Sequence, residues 1–319
     1  MFFLAVYEYN LTFDCGAARD LPETILLSDF LLDCQVRNFS PRTVQSYKSN
    51  LKYFLSRHPV RISPEDLKVF LVHIRDEKGF APSTVENYFA ALSSFNDFLE
   101  WEGVIERNVV PQFRKRYLRQ YKDQRNEERQ LISLEQMKDL IDSAEWICHK
   151  AMFVFFAKTG IRRQELIDLD VQDLHVLKRY AVLKPHAKRS NRIVFFDDEC
   201  AEVLETWLKW RYNRKVRIKA LFIGVQGSRI SRDAVYEATT EQALQLGFHN
   251  PEGLLNEKFT PHCFRHWFTT WMRRAGCPRA IIQELRGDTR KEAIDIYDHI
   301  TQDELKEDYL KYIPKLGIK

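Results

Sequence analysis

The chain has 319 residues, of which 45% are hydrophobic and 29% are charged. This composition is typical of a folded globular protein and excludes a disordered or fibrous one. The 49 lysines and arginines exceed the 45 aspartates and glutamates by only four, so the net charge by itself identifies no partner.

The length predicts two domains, because one hydrophobic core rarely serves so long a chain. No stretch reaches the roughly 18 uninterrupted apolar residues that cross a bilayer. The apolar start of the chain ends at Glu8 with no basic residue before it, which is not typical of a secretory signal. The six cysteines include no Cys-x-x-Cys pair, which argues against a disulfide framework or a zinc module. We therefore expect a cytoplasmic protein that is associated with no membrane.

The first predicted domain follows an N-terminal extension of residues 1–20 and is all-helical, over residues 21–112. Ser40 is a predicted N-cap, and Pro41 suits the first helical position because its missing N–H costs nothing there. The same pattern recurs at Ala81 and Pro82, and Pro64 begins another helix between the two. The sequence therefore predicts a compact helical bundle.

Residues 113–130 carry more basic than acidic side chains and show little apolar periodicity after Leu118. This pattern predicts an exposed basic linker between two domains. Such a run is usually only a solvated surface, but its position between domains also suits contact with a polyanion.

The second predicted domain spans residues 131–319 and begins with a capping box at Ser133. A helix that is apolar on all sides follows over residues 151–157 and ends at Gly160. Residues 180–183 and 192–196 predict two strands around a polar turn.

The rest of this domain is predicted to be mainly helical. A helix is expected over residues 202–217, a short strand over 221–223, and a helix capped by Ser231. Residues 260–312 predict further helices, with breaks at Gly276 and Gly287. Tyr309 and Tyr312 are expected to be packing anchors on the last helix. The predicted fold class is mainly α with a small β-sheet (α+β).

Positive charge is concentrated in two tracts of the second domain. Residues 178–192 contain six lysines and arginines and no acidic residue, and residues 209–219 contain six more and again no acid. Solvated helix faces usually mix both signs, so segregated charge favours a phosphate backbone, and hence nucleic acid, as the partner.

Three short patterns bear on chemistry: Thr159-Gly160-Ile161-Arg162, the pair His262 and Arg265, and Tyr297 near the C-terminus. His262 and Arg265 are three positions apart and would be neighbours on one helix face. Taken singly, each pattern is also explained by a surface ion pair or by chance.

Together and in this order, these patterns resemble the tyrosine recombinase (lambda-integrase-like) family, from about Leu21 onwards. The layout is most similar to Xer-like or archaeal integrase-like members. The resemblance implies an N-terminal helical core-binding (SAM-like) domain, a linker and a C-terminal catalytic domain. It also implies a site-specific recombinase that cleaves and rejoins duplex DNA through a 3′-phosphotyrosyl intermediate, without metal, cofactor or ATP.

In this family the catalytic roles would be distributed over a few side chains. Arg162 and Arg265 would clamp the phosphoryl oxygens, where negative charge develops in the transition state. Tyr297 would be the nucleophile, and its ordinary pKa of about 10 means that it needs help at neutral pH. His262 would accept the phenolic proton or donate to a phosphoryl oxygen.

The leaving 5′-oxygen needs a general acid, which in this family is a lysine on a β-hairpin. Lys188 is our choice, Lys184 is the alternative, and Lys188 could instead contact only backbone phosphate. Asp288 stands where relatives usually have histidine or tryptophan. A carboxylate there would be repelled by phosphate, so Asp288 is expected to orient Arg162 or Arg265, or to cap the next helix.

Three further expectations concern neighbouring charged residues. Lys291 and His299 are conceivable substitutes for the missing histidine, and Glu165 is expected to support an arginine or to form a plain surface ion pair. The run Asp168, Asp170, Asp173 could bind a metal in a nuclease, but a structural turn explains it better. The residues expected to contact DNA are Arg42, Lys48, Arg114, Lys115, Arg116, Lys184 and Arg189.

Double-stranded DNA is the expected partner, and the resemblance implies a homotetramer on two DNA sites, in the nucleoid. Two other functions use the same fold: a monomeric type IB topoisomerase-like enzyme and a catalytically idle DNA-binding regulator. A metal-dependent nuclease is a third alternative.

Overall fold

The computed structural model describes residues 23–118, 129–185, 191–288 and 300–318. The described residues form two compact units, one before and one after residue 126, and each is presented by itself. Within the described ranges, no helix combines the length and apolar character that a membrane span requires.

The described residues of the first unit form a bundle of five α-helices, three of which begin at a proline as predicted. Ser40 caps the second helix by accepting a hydrogen bond from the Thr43 N–H at 3.1 Å. Ser63 and Asp66 form a capping box at the third. The helices are Glu23–Val36 (α1), Pro41–Leu55 (α2), Pro64–Val72 (α3), Pro82–Trp101 (α4) and Val110–Tyr117 (α5).

Aromatic side chains fill the core of this bundle. Phe30 of α1 lies edge-on to Phe95 of α4, and Phe54 of α2 lies edge-on to Phe70 of α3. All four rings are fully buried. Burying one phenylalanine side chain contributes roughly 1.5–3 kcal/mol to the stability of the fold. The aromatic residues of the two similar helix patterns therefore form the core of one bundle.

The predicted linker begins too early, because α5 continues to Tyr117. Phe113 stacks on Phe89 of α4 with ring centroids 5.3 Å apart, and Leu118 is buried. The basic residues at 114–116 obscured this helix, since they occupy its solvent side while Val110 and Phe113 face the core. Residues 119–128 of the predicted linker lie outside the described residues, as does the predicted extension 1–20.

The described residues of the second unit form eight α-helices and one small sheet. As predicted, Ser133 and Gln136 form a capping box at its first helix, and Ser231 caps another. The helices are Leu134–Asp142 (α6), Ile147–Thr159 (α7), Arg163–Asp168 (α8), Asp198–Asn213 (α9), Arg232–Gln245 (α10), Pro261–Arg274 (α11), Arg279–Arg286 (α12) and Gln302–Tyr312 (α13).

The sheet is antiparallel, in the order β1-β2-β3, with strands Leu174–His175 (β1), Tyr180–Val182 (β2) and Ile193–Phe195 (β3). Ala181 pairs with Leu174 on one side and with Val194 on the other. The two predicted strands are confirmed, and β1 is an addition. A mainly helical protein with one small sheet matches the predicted fold class.

Two predicted boundaries in this unit are wrong. The helix expected over 202–217 is α9, which begins and ends four residues earlier, because Asp197 caps it by accepting the Cys200 N–H at 3.2 Å. Residues 221–223 form no strand; within this segment only Ile223 makes an isolated bridge, which pairs it with Arg229. Arg211, counted in the second basic tract, is buried and donates to the carbonyl oxygens of Ile218 and Leu221.

Helix α7 is the centre of the second unit and packs against α9 and α11. Its Lys158 is completely buried, and its ammonium contacts Asp197 at 2.6 Å, Glu199 at 2.5 Å and the carbonyl oxygen of Pro314 at 2.7 Å. Tyr309 of α13 donates to the Lys158 carbonyl at 3.0 Å. The prediction that Tyr309 is a packing anchor is confirmed, and this cluster holds the C-terminal segment onto the core.

Candidate active site

Arg162 lies in the short turn between α7 and α8, where the sequence predicted the end of a helix. Gly160 ends α7 in the left-handed conformation, with φ of 59°. Glu165 is buried in the first turn of α8, and its carboxylate accepts from the Arg162 backbone N–H at 2.7 Å and from Nη1 at 3.0 Å. The expectation that Glu165 supports an arginine is confirmed. Because Glu165 binds both the backbone and the side chain of Arg162, it fixes the direction of the Arg162 guanidinium.

Arg265 lies on α11, and its side chain is only 4% exposed. Its Nη1 donates to the carbonyl oxygen of Gly160 at 2.8 Å, and its Nη2 donates to the carbonyl oxygen of Arg286 at 3.1 Å. Phe268, one turn further along α11, packs on Gly160 so closely that a Cβ at position 160 would lie 2.5 Å from its ring. The end of α7 therefore fixes the position of α11.

Asp288 joins the two arginines. Its Oδ1 accepts from Arg162 Nη2 at 3.0 Å and from Arg265 Nη2 at 2.6 Å, and its Oδ2 lies 3.0 Å from Arg286 Nε. Gly287 ends α12 with φ of 63°, which turns the chain so that Asp288 reaches both guanidiniums. Arg162 and Arg265, which are 103 positions apart in sequence, thus share one carboxylate oxygen. Of the two alternatives for Asp288, contact with the arginines is the one observed, and its part in catalysis stays a prediction.

His262 lies in the first turn of α11, one helical turn before Arg265. The residue is exposed to solvent, although neighbouring protein atoms cover part of its ring. This partial burial, together with the positive charges of Arg129, Arg265 and Arg286, lowers the pKa of the imidazole to about 4. His262 is therefore neutral at pH 7 in the absence of a bound anion and can accept a proton.

Burial also lowers the pKa of the Arg265 guanidinium to about 9, and the neighbouring charges of Arg286 and Arg162 add to this effect. The group remains charged at neutral pH. The ion pairs here join three arginines, Arg162, Arg265 and Arg286, to two carboxylates, Glu165 and Asp288. Positive charge is in excess among these residues, which favours a bound anion.

A cavity of about 410 Å³ opens beside these residues and is lined by Arg162, His262 and Arg265. Its wall also contains Arg232 and Tyr236 of α10, which no sequence motif indicated. Ser231 predicted the start of α10. Only the fold shows that the start of α10 lies beside the turn that carries Arg162, almost seventy residues earlier in the chain.

Several predicted site residues lie outside the described residues. They are the proposed nucleophile Tyr297, the hairpin residues Lys188 and Arg189, and the two possible substitutes Lys291 and His299. Their roles remain predictions.

Lys184, the alternative general acid, follows β2 and forms an ion pair with Asp170 at 2.6 Å. Asp170 also accepts from Arg229 Nη2 at 2.5 Å. Asp173 accepts from the Asp170 N–H at 2.9 Å, and Asp168 accepts from Gln164 at 3.0 Å. These contacts explain the acidic run as a structural turn. Among the described residues, no group of three or more histidine, cysteine, aspartate or glutamate side chains is arranged to hold a metal ion.

The remaining predicted DNA contacts lie in the first unit. Arg42 and Lys48 on α2 are exposed, as are Lys115 and Arg116 on α5. Arg114 instead forms an ion pair with Glu86 of α4 at 3.0 Å, so part of its charge is used within the bundle.

Comparisons with known proteins show which family the chain is similar to. Residues 130–304 match the model of the phage integrase family, and residues 26–101 match its N-terminal SAM-like domain. Tyrosine recombinase XerC of Pelotomaculum thermopropionicum is 28% identical over 316 residues, which is 91% of this chain and 98% of the relative. Tyrosine recombinase XerD of Listeria monocytogenes is 25% identical over 308 residues, which is 91% of this chain and 99% of the relative.

Solved structures share the fold. The integrase of transposon Tn1549, in complex with transposon right end DNA, is 17% identical with a TM-score of 0.66 and covers 90% of this chain and 98% of its own. A lambda integrase dimer bound to a core site is 15% identical with a TM-score of 0.66 and covers 88% and 99%. Because the matched family model spans more than half of the 319 residues, this protein belongs to the phage integrase family of tyrosine recombinases.

Proposed function

We propose that this protein is a site-specific recombinase that cleaves and rejoins duplex DNA through a 3′-phosphotyrosyl bond to Tyr297. The observation that carries the proposal is the convergence of Arg162 and Arg265 on one oxygen of Asp288. Two guanidiniums that share one anionic oxygen are spaced to share an oxygen of a phosphodiester as well.

The chemistry follows from these charges. Attack of the Tyr297 oxygen on the phosphorus forms the tyrosyl ester and breaks the bond to the 5′-oxygen. Negative charge grows on the non-bridging oxygens during this displacement, and fixed guanidiniums in a water-poor site stabilise it. The ester conserves the energy of the broken bond, so a 5′-hydroxyl can attack it and rejoin the strand without ATP.

Proton transfer is assigned to His262 and to a hairpin lysine. The neutral imidazole of His262 can accept the phenolic proton of Tyr297, directly or through a phosphoryl oxygen. Lys188 is the proposed donor to the leaving 5′-oxygen. Lys184 is the alternative, but a DNA phosphate would first have to displace Asp170 from its ammonium.

The assembly is proposed on the same basis. The first unit would act as the core-binding module through the exposed residues of α2 and α5, and the second unit would carry catalysis. Integrases of the same fold have been solved with DNA, which supports duplex DNA as the partner. We propose four protomers on two DNA sites, in the nucleoid.

The proposal predicts a covalent protein–DNA adduct that depends on Tyr297. A duplex selected by this protein from a randomised pool is nicked near the cleavage site, so that a short strand leaves after attack and traps the intermediate. The wild-type chain should form an adduct that survives denaturation, in buffer containing EDTA. The Tyr297→Phe variant should bind the duplex equally well and form none.

The alternatives give different results in the same assay. Binding without any adduct would identify an idle regulator, and cleavage that requires a divalent metal would identify a nuclease. Adduct formation by a protein that stays monomeric on its site and relaxes supercoiled plasmid would indicate a topoisomerase. An adduct of undiminished yield in Tyr297→Phe would overturn the assigned nucleophile.

Asp288→Asn is expected to slow adduct formation and to strengthen non-covalent DNA binding. An amide oxygen can accept a hydrogen bond but carries no charge, so the arginines lose their shared anionic partner; a charged hydrogen bond of this kind changes a rate or equilibrium by roughly 10- to 100-fold. Loss of one negative charge beside the phosphate should raise affinity. Single-turnover cleavage and filter binding measure the two effects separately.

Asp198→Asn is the matched control, because Asp198 pairs with Arg179 at an exposed position of the same unit. It makes the same change in net charge. Equal behaviour of the two variants would show that Asp288 has no special part in positioning the arginines.

A further inference from the structure

Arg232 has an unusual environment at the start of α10. Its side chain is half-buried and lines the cavity beside Arg162 and Arg265. Its Nη1 donates to Gln164 Oε1 at 3.1 Å, and its backbone carbonyl accepts from Arg163 Nη1 at 3.3 Å. These contacts hold the guanidinium at the cavity wall with donors left over, because an arginine has five N–H groups.

The charge of Arg232 is not offset by the residues around it. Within the described parts of the chain, no carboxylate forms an ion pair with Arg232, and its side-chain partner Gln164 is neutral. The residues that line the cavity include four arginines and no aspartate or glutamate: Arg162, Arg163, Arg232 and Arg265. Arg162 and Arg265 are paired with Asp288, but Arg232 has no such partner among the described residues. A half-buried guanidinium without a counter-anion is costly, so this part of the cavity wall favours an anionic ligand.

The cavity is also larger than one phosphate group requires. Its volume of about 410 Å³ corresponds to roughly a dozen water molecules. Arg162 and Arg265 are directed at one oxygen by Asp288, whereas Arg232 is directed by Gln164. The cavity thus presents two separately oriented cationic groups.

We propose that Arg232 binds a second phosphate of the DNA backbone, next to the phosphate that is cleaved. This inference rests on the proposed function, since it takes Arg162 and Arg265 as the clamp on the scissile phosphate. Arg232 does not touch the reacting atoms, so it sets the register of the DNA in the cavity and contributes to affinity. Its removal should act on binding more than on the rate at saturating DNA.

The test measures binding of the selected duplex to the full chain as a function of salt, in the Tyr297→Phe background so that no strand is cut. Loss of one phosphate contact lowers the slope of log K against log salt by about 0.9. Arg232→Ala should show this reduction and bind at least roughly tenfold more weakly, which is the effect expected of a hydrogen bond to a charged group. Arg232→Lys should keep the slope.

A chemical substitution then identifies the phosphate. Neutral methylphosphonates are placed one at a time along the selected duplex. A methylphosphonate at one position should weaken binding by the parent protein. The same methylphosphonate should not further weaken binding by Arg232→Ala. Effects that add at every position would overturn the proposal.

Arg274→Ala is the matched control, because Arg274 is an exposed arginine of α11 that packs over Trp271 and lies outside the cavity wall. The salt-dependence slope of Arg274→Ala should equal that of the parent protein. An equal fall in the slopes of Arg232→Ala and Arg274→Ala would contradict a specific contact between Arg232 and a phosphate. Arg232→Gln, with a thermal unfolding curve, separates a binding defect from misfolding.

The two proposals fail separately. Adduct formation without any Arg232 effect would remove the second phosphate site alone. A clear Arg232 coupling in a protein that never forms an adduct would leave the phosphate site and remove the recombinase chemistry.

Discussion

Arg265→Ala is expected to reduce covalent adduct formation by about 10³-fold, the upper range for loss of one preorganised transition-state donor. Its guanidinium is almost fully buried and is held by Gly160, Asp288 and Arg286. Water that entered the space left by the side chain would supply neither the charge nor the fixed direction. Single-turnover cleavage of the nicked duplex measures the loss.

Arg265→Lys distinguishes charge from geometry. The ammonium keeps the charge, but it has only three N–H groups, and Arg265 already uses three to hold Gly160, Arg286 and Asp288. Lysine therefore has no donor left for a phosphate, and recovery should be small. Arg274→Ala serves as the control on the same helix and should cleave at the wild-type rate. Wild-type cleavage by a folded Arg265→Ala protein would remove the clamp from the mechanism.

Lys158→Ala is expected to lower the free energy of unfolding of the catalytic unit by about 3–5 kcal/mol, the usual cost of leaving a buried charge without its partner. All three donors of the ammonium are used, and alanine would leave Asp197 and Glu199 facing each other without a cation. The same Glu199 accepts from the backbone N–H groups of Leu316 and Gly317. Denaturant unfolding followed by fluorescence of the buried Trp207 and Trp267 reports this unit.

Lys138→Ala is the control for this prediction. Lys138 forms a partly exposed ion pair with Asp142 on α6, a type of pair that is worth only about 0.3–0.5 kcal/mol. Similar losses in the two variants would contradict a special contribution from Lys158.

The pH dependence of stability gives a second measurement. Burial would raise the pKa of Glu199, but the Leu316 N–H and Lys158 outweigh it, and the pKa is lowered. A carboxylate with a lower pKa in the folded state stabilises the protein above its unfolded pKa, and this stabilisation is lost as the pH falls. Lys158→Ala should therefore weaken the acid dependence as well as the stability at neutral pH.

The elements that sequence predicted best are those with a strong local cause. Ser40 with Pro41 and Ser133 with Gln136 determine helix starts through their own side chains and backbone. Gly160 and Gly287 mark helix ends, because both adopt positive φ angles that other residues rarely take. These signals depend on a few neighbouring residues and need no tertiary contact.

The predictions that failed depended on tertiary packing. The basic run at 114–116 suggested a linker, whereas Phe113 stacks on Phe89 and keeps this segment helical. Ile223 looked like part of a strand, but its segment is buried in the core and pairs only through an isolated bridge between Ile223 and Arg229. Arg211 counted as surface charge, although two backbone carbonyls bind it in the interior.

The candidate site shows the same division. Arg162, His262, Arg265 and Asp288 could be selected from order and spacing, and the fold brings them together. Arg232 could not, because its importance comes from a cavity wall built by α8, α10 and α11. The residues next to Arg232 in the sequence do not indicate that it lies beside this cavity.

Gly160 lies in the interior and positions two residues of α11, Arg265 and Phe268. Its carbonyl oxygen binds Arg265, and its bare α-carbon admits the ring of Phe268. Even one added methyl group there would push α11 away from the turn that carries Arg162. The placement of Arg265 relative to Arg162 therefore depends on a residue in the hydrophobic centre that has no side chain and no charge.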